Sequence, residues 1–338
     1  MKAFVLAAGA GTRLRPLTHD IPKPMIPILG KPALYHTLNN LGKYGFDNVC
    51  INLFHCPDCI TDYFKNNYMD IKLSYSLEKK LLGTAGAIKK QEKFLDETFT
   101  VMSGDGLTDI NLEKVLAFHK KKKALATIVL KKTDIRLEYG IVVTDKTSRV
   151  KKFVEKPKWS DIFADMVNTG IYIFEPEILK YVPENKFFDF SVDLFPLLLK
   201  NKKKVFAYPM EEYWTDIGNI LEYKKGVFDA LDGKVKINVS GCKKQGSYIS
   251  KYARIDESAK IKWPCFIDDN AYIGRNVIIN PYSVISQNVR IEDNAAIKSS
   301  VIWEGSRIGN GAKLSNTIVG YKGRIPDGIM LFDSIIMS

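Results

Sequence analysis

The amino-acid sequence predicts an α/β domain built on a mostly parallel sheet, followed by a solenoid of short stacked strands. Three observations carry this. Through the first half of the chain, short apolar runs alternate with helix-period segments of about ten residues, the pattern of strand–helix–strand units. Three glycine-bearing turns follow such runs: Gly9-Ala10-Gly11, Gly83-Thr84-Ala85-Gly86 and Gly104-Asp105-Gly106. Parallel sheets bind ligands outside the carboxyl ends of their strands, so these turns are expected to face one cleft. From Ile255 onward isoleucine returns at every sixth residue, a period that belongs to solenoids.

In chain order, Phe4–Ala8 reads as a strand that empties into Gly9-Ala10-Gly11-Thr12-Arg13. Two glycines let the backbone approach a bound group and turn so that successive N–H donors converge on it. Arg13, Arg15 and Lys23 place three cations in the same loop, and Pro16, Pro22, Pro24 and Pro27 stiffen it. Converging amides with fixed cations suit a polyphosphate. Two familiar phosphate loops are excluded. A dinucleotide fingerprint needs a small residue where Leu14 stands, and Leu14 and Arg15 break a Walker loop.

A helix is expected over Ala33–Tyr44, with Leu34, Leu38 and Leu41 on its apolar face and Gly45 at its end. A strand over Asn48–Leu53, a helix over Pro57–Asn66 and a strand over Ile71–Ser76 come next. Thr84 is placed to cap a helix running to Phe94. The strand Phe99–Ser103 ends at Asp105, and Asn111–Lys121 is helical. A carboxylate between two glycines at a strand end can face a phosphate-bound Mg²⁺, which takes few protein carboxylates and keeps waters.

Between Ala124 and Phe174 the pattern turns β-rich, with strands expected at Ala126–Lys131, Tyr139–Thr144, Val150–Val154 and Gly170–Phe174. Glu155-Lys156-Pro157 and Asn168-Thr169-Gly170 put a carboxylate, a lysine and an amide at strand ends. Such groups can grip sugar hydroxyls and a phosphate, although each alone is also ordinary turn chemistry. Phe190–Leu199 reads as a packing helix kinked at Pro196. Tyr213–Gly218 then offers a second acid, Asp216, and two acids from separate loops suit one Mg²⁺ bridging two phosphate groups.

In the solenoid, the isoleucines Ile255, Ile261, Ile267, Ile273, Ile279, Ile285, Ile291 and Ile297 are expected to line the axis. The fourth residue after each is small or β-branched, from Ala259 and Cys265 to Ala295 and Val301. Asn270, Asn276, Asn288 and Asn294 share a register suited to the left-handed corners that asparagine tolerates. One residue drops out near Trp303, and the phase resumes at Ile308 and Leu314. The expected division is a first domain over 1–232, a linker over 233–250 and the solenoid over 251–338.

The chain has 338 residues, 46% hydrophobic and 26% charged, with a net charge of +12. That length and composition fit a globular protein of two domains. The lysine runs Lys120–Lys123 and Lys202–Lys204 follow helical stretches, where cations complement the helix dipole. They lack the aromatic or arginine interleaving of nucleic-acid surfaces, so no nucleic-acid partner is expected. No apolar run approaches the ~20 residues of a membrane span, and no signal peptide is evident, which points to the cytoplasm. Five cysteines fit a reducing compartment. The pair Cys56 and Cys59 has only the adjacent His55 nearby, a poor set for zinc. All four histidines precede residue 120, which disfavours an acyltransferase that needs a histidine on its solenoid.

The segments LAAGAGTRLRPLT with KPMIP, LGTAG, SGD, VEKP, NTGIYIF and YWTDIG occur in this order ahead of the hexapeptide repeat. Together they resemble the sugar-1-phosphate nucleotidyltransferases, or NDP-sugar pyrophosphorylases, over nearly the whole chain. LGTAG and DFSVDLFP are most similar to bacterial mannose-1-phosphate guanylyltransferase-like members. The resemblance implies a Rossmann-like nucleotidyltransferase domain followed by a left-handed parallel β-helix. It also implies a reaction in which an NTP and a sugar 1-phosphate give an NDP-sugar and pyrophosphate with Mg²⁺, most closely GTP with mannose 1-phosphate. Glucose 1-phosphate with dTTP, UTP or ATP is the alternative.

By the same resemblance, Arg13 holds the leaving pyrophosphate, Lys23 the nucleotide phosphates and Lys156 the sugar phosphate. Asp105 and Asp216 hold the metal. Ala8, Gly9, Gly11, Thr12, Gly83 and Thr84 contact the nucleotide, and Gly140, Glu155 and Asn168 the sugar. A non-catalytic regulatory subunit of a pyrophosphorylase-like assembly is the rival reading. The presence of Arg13, Lys23, Asp105, Lys156 and Asp216 favours catalysis. The β-helix is expected to join copies into a homo-oligomer.

Overall fold

The computed structural model describes residues 1–133, 139–155, 165–239, 242–244 and 247–338. Its contacts divide the chain into two units. One joins Met1–Ala10, Ile21–Met25 and Thr37–Asp216; the other joins Gly11–Asp20, Ile26–His36 and Ile217–Ser338.

The first unit is organised by β1 (Lys2–Leu6), whose central residues are fully buried. It is followed by α1 (Ala33–Lys43), β2 (Asn48–Leu53), α2 (Pro57–Phe64), β3 (Ile71–Leu77) and α3 (Gly83–Lys90). Next come β4 (Phe99–Ser103), β5 (Gly106–Thr108), α4 (Leu112–Lys122), β6 (Ala126–Lys132), β7 (Ile141–Thr144) and β8 (Val150–Val154). β9 (Met166–Phe174), α5 (Phe195–Lys200), β10 (Val205–Pro209) and β11 (Trp214–Asp216) complete the unit. The order β8-β7-β9-β4-β1-β2-β3 runs through a sheet of ten strands among the described residues, with β6 pairing β9 and β10. β4, β1, β2 and β3 are mutually parallel, and β9 runs antiparallel to β4 and β6. Strands buried on both faces favour apolar residues at successive positions, which is why Ala3, Phe4 and Val5 of β1 read as a run without alternation; β4 buries Thr100 among its apolar residues. Phe99, Tyr172, Phe174, Phe190 and Phe195 form an aromatic cluster on one face.

Two local expectations are corrected. α3 ends at Lys90 rather than Phe94, and its N-terminus carries no side-chain cap. Thr84 lies in its first turn, with the hydroxyl occupied elsewhere: it donates to Asp189 Oδ2 (2.8 Å) and accepts from the Phe190 N–H (2.8 Å). The stretch Phe190–Leu199 is helical throughout, but not uniformly: a π-turn over Phe190–Leu194, capped by Asp189, runs directly into α5 at Phe195. Pro196, which has no N–H to give, falls where the π-turn passes into the α-helix, so the irregularity takes the form of a wide turn ahead of the proline.

In the second unit, α6 (Ile220–Leu231) is capped by the Asn219 side chain on the Glu222 N–H (2.9 Å). The solenoid is a β-helix of three parallel faces. On one face Ile267 stacks on Ile285, eighteen residues on, and Ile285 stacks on Ile302, seventeen on. The seventeen-residue coil repeats from Ile302 to Val319 and from Val319 to Ile336, so the phase slip near Trp303 is a change of coil length that persists. The axis is filled by Ile267, Ile273, Ile279, Ile285, Ile291 and Ile297, all buried, whereas Ile255 and Ile261 in the first coil are only partly buried. Asn270, Asn276, Asn288 and Asn294 turn the corners at φ of 57°, 56°, 57° and 61°. The residues after Gly320 continue the coils through Arg324–Ile325, Met330–Phe332 and Ile335–Ile336. No helix of the described residues is long and apolar enough to cross a membrane.

Candidate active site

The two acids are brought together by a small ribbon. β5 pairs antiparallel with β11, and Asp216 stands opposite Gly106, next to Asp105. Lys23 Nζ lies 2.9 Å from Asp216 Oδ1 and is also ion-paired with Asp105. The three side chains are only 10%, 22% and 19% exposed, in the order Lys23, Asp216, Asp105. Burial lowers the Lys23 pKa, but the charges of Asp105 and Asp216 outweigh it and hold the ammonium above its ordinary range. Burial likewise raises Asp105, and Lys23, with a hydroxyl bond from Ser103, more than reverses it. Lys23 is therefore held as the ammonium and Asp105 as the carboxylate at neutral pH.

A buried hydrogen-bond chain links the first two glycine turns across the strand ends. The Ala7 N–H donates to Asn52 Oδ1 (2.7 Å), and Asn52 Nδ2 donates to Glu78 Oε1 (2.8 Å). The Leu82 N–H then donates to Glu78 Oε2 (2.9 Å). A cleft of about 260 Å³ opens beside it, lined by Ala8, Gly9, Glu78, Gly83, Thr84 and Asp105, with Leu81 and Phe187 also on its wall. The structure thus gathers five of the expected residues, Ala8, Gly9, Gly83, Thr84 and Asp105, in one cavity. Asn52, Glu78 and Asp189, which also line it, escaped the sequence reading. The available signal was a buried polar residue interrupting the apolar run near the end of a strand, as Asn52 does in β2.

The glycines of the two turns have different surroundings. A Cβ on Gly83, at φ +74°, would lie 2.6 Å from the Phe188 carbonyl oxygen, and one on Gly86 2.7 Å from that of Lys186. Their small size is required by the chain itself, because the Ala85 and Gly86 N–H groups donate to the Phe188 carbonyl (2.9 and 3.0 Å). Gly9 is exposed, and a Cβ there would meet no protein atom within 4 Å.

Gly140, Glu155 and Asn168 are also brought together. The Asn168 N–H donates to the Gly140 carbonyl (2.8 Å), and a Cβ on Gly140 would lie 2.7 Å from Glu155 Oε2. Asn168 Nδ2 donates to the Tyr172 hydroxyl (2.7 Å), and the Trp214 indole N–H donates to the Thr169 carbonyl (3.0 Å). Trp214 therefore ties this group to the strand that ends at Asp216. Lys156 lies outside the described residues. In the second unit, Gly11 at φ +61° opens a single turn over Thr12–Leu14, with Thr12 and Arg13 exposed and Leu14 buried. The Thr18 hydroxyl closes this loop on the Gly11 carbonyl (2.8 Å).

The nucleotidyl transferase family model matches residues 2–232, and a model described as the GMPPB C-terminal domain matches 261–337. A UTP–glucose-1-phosphate uridylyltransferase of Synechocystis is 37% identical, over 94% of this chain and 87% of its own length. Mannose-1-phosphate guanylyltransferase 1 of Arabidopsis thaliana is 32% identical, over 100% of this chain and 96% of its own. Among solved structures, the crystal structure of HddC from Yersinia pseudotuberculosis aligns with a TM-score of 0.59 at 31% identity, covering 67% of this chain and 97% of that one.

Proposed function

The chain belongs to the nucleotidyl transferase family, and from that premise we propose that it transfers a nucleotidyl group from GTP to mannose 1-phosphate, giving GDP-mannose and pyrophosphate. In this reaction a phosphate oxygen of the sugar 1-phosphate forms a bond to the α-phosphorus in line. The bond from the α-phosphorus to the bridging oxygen of the β-phosphate breaks, and pyrophosphate carries the electron pair away. No covalent enzyme intermediate is needed, so positioning and charge neutralisation supply the rate.

The residues fit these tasks. Gly9 leaves open space in the cleft wall, room for a phosphate to approach the backbone. Arg13 is assigned the leaving pyrophosphate and Lys23 the nucleotide phosphates. Gly140, Glu155 and Asn168 take the sugar, with Lys156 on its phosphate. Asp105 and Asp216 converge on one cation, Lys23 Nζ, and as a hard-oxygen pair they fit Mg²⁺, which completes its shell with phosphates and water. When bound there, that ion supplies neutralisation of phosphate charge.

The observation that carries the choice of base is Glu78, 4% exposed in the cleft wall. Each of its oxygens accepts one hydrogen bond from the chain and keeps a second acceptor position. Guanine offers adjacent N1–H and 2-amino donors that match such a carboxylate. Uracil and thymine offer one N–H flanked by two carbonyls, which a carboxylate repels. The Arabidopsis relative supports mannose, and the Synechocystis relative keeps UTP with glucose 1-phosphate as the second reading.

Pyrophosphate release from GTP, UTP, dTTP and ATP, each with mannose and glucose 1-phosphate, tests the assignment. GTP with mannose 1-phosphate is expected to give the highest kcat/KM. A preference for UTP with glucose 1-phosphate would install the second reading, and inactivity with every pair would revive the regulatory one. Asp105→Asn is expected to abolish Mg²⁺-dependent release while the fold survives, since Lys23 keeps Asp216; near-normal turnover would remove Asp105 from the metal role. The homo-oligomer belongs to the same proposal, and a strictly monomeric species in sedimentation at micromolar concentration would withdraw it.

A further inference from the structure

The pair Cys56 and Cys59, a poor set for zinc, stands in the first unit where β2 turns into α2. β2 and β3 are parallel neighbours, and α2 lies in the connection between them. Cys56 is the residue that precedes the helix, Pro57 opens it, and Cys59 falls in its first turn. A Cys-x-x-Cys at the start of a helix in a strand–helix–strand unit is the arrangement of dithiols that exchange with disulfides. Among the described residues no group of three or more His, Cys, Asp or Glu side chains is placed to hold a metal ion.

The local geometry brings the two sulfurs to one side. Cys56 makes a sharp corner at φ +44°, in the left-handed region, and the Cys59 N–H donates to its carbonyl (3.2 Å). Residues three apart at a helix start share a face. Cys56 stands outside the helix, so its own torsions can close a disulfide without breaking an intrahelical hydrogen bond. Both cysteines are half-buried and open to a small reagent, whereas Cys50 and Cys265 are buried.

The two thiols have unequal surroundings. Cys56 Sγ lies 3.5 Å from Nε2 and 3.7 Å from Nδ1 of His55, so a ring nitrogen can accept its proton. Burial, with Cys56 and the Asp58 and Asp62 carboxylates nearby, raises the Cys59 pKa and holds that sulfur as the thiol.

We propose that Cys56 and Cys59 form a dithiol exchange site for a glutathione-type disulfide, with Cys56 as the attacking sulfur and Cys59 as the resolving one. Cys56 gives its proton to His55, bonds to one sulfur of glutathione disulfide and expels the other as a thiolate. Cys59 Sγ then bonds to the Cys56 sulfur and expels the second glutathione thiolate, leaving the 56–59 disulfide. Two protein thiols are oxidised, one glutathione disulfide is reduced to two thiols, and the two protons end on the leaving sulfurs. The mixed disulfide removes the Cys56 charge that disfavours ionisation of Cys59, which eases the second step.

The test equilibrates the full chain in glutathione redox buffers, alkylates it and reads the cysteine peptides by mass spectrometry. The peptide with Cys56 and Cys59 should convert to an internal disulfide as glutathione disulfide comes into excess, and return to the dithiol on reduction. Cys59→Ser should hold one glutathione on Cys56, whereas Cys56→Ser should load Cys59 at least about tenfold more slowly. His55→Gln should slow loading of Cys56 in the Cys59→Ser background by about tenfold, a modest share of what a positioned base supplies. Cys50 and Cys265 should stay unmodified until the chain is denatured. A pair that remains a dithiol, preferential loading of Cys59, or an unchanged rate in His55→Gln would overturn the proposal. So would modification of the buried cysteines at the same rate, since the reactivity would then be that of an opened chain. The readout is thiol chemistry rather than turnover, so its outcome is independent of the nucleotidyl transfer proposed above.

Discussion

At Gly83 an added methyl group would press on the Phe188 backbone, whereas at Gly9 it would point into open space in the cleft. The two turns share a composition and follow parallel strands, β1 and β3, on either side of β2, yet their glycines answer to different constraints. The turn at Gly83–Gly86 is shaped from within, by the chain segment 186–188 that closes over it. Among the described residues nothing demands a glycine at position 9. A small residue without an internal constraint is what the proposed approach of a phosphate to the backbone calls for.

The sharpest way to break this contrast is Gly83→Ala. The substitution forces a side chain onto φ +74° and into a backbone carbonyl that cannot swing away, so a loss of about 3 kcal/mol is expected. Denaturant unfolding reads it directly, and a loss below about 1 kcal/mol would mean that the 186–188 segment yields easily. Gly9→Ala should do the reverse. Unfolding free energy should stay within about 0.5 kcal/mol of the native value. Turnover with the preferred NTP should fall by roughly 10- to 100-fold, the scale set by displacing a phosphate from its attack geometry. A destabilised but fully active Gly9→Ala protein would erase the distinction between the turns.

Glu78→Gln probes the link between the turns and has the smallest expected effect. The amide must turn its NH₂ toward either Asn52 Nδ2 or the Leu82 N–H, so one donor faces another, at about 1–2 kcal/mol. The proposed preference for GTP over UTP should shrink in the same variant by about tenfold. An unchanged preference would detach Glu78 from base choice while leaving its part in joining the turns.

Those parts of the molecule with a period or a charge were legible in the sequence. The β-helix announced itself because each isoleucine of the axis is also a strand residue, so one six-residue rule encodes both local and long-range order. Asp105 and Asp216 were legible as carboxylates among glycines and aromatics at strand ends. The Asn52–Glu78 chain was hidden, because its meaning depends on three parallel strands lying side by side, which no local pattern records. Thr84 misled for a related reason: a hydroxyl at a helix start usually caps it, and here a partner 105 residues away takes it instead. Pro196 signalled an irregular helix, but the form it takes, a π-turn ahead of the proline, leaves no apolar period of its own.

The ribbon of β5 and β11 has a temporal consequence. Asp105 and Asp216 are separated by 111 residues (216 − 105), and the antiparallel pairing of Gly106 with Asp216 is what sets them side by side. Contacts of such long separation form late, after the intervening sheet has closed its loops. A chain emerging from the ribosome therefore owns no paired acids until nearly all of the first unit has been made. Any divalent-ion affinity that rests on the proposed acid pair is therefore a property of the completed first unit, and a half-made chain lacks it.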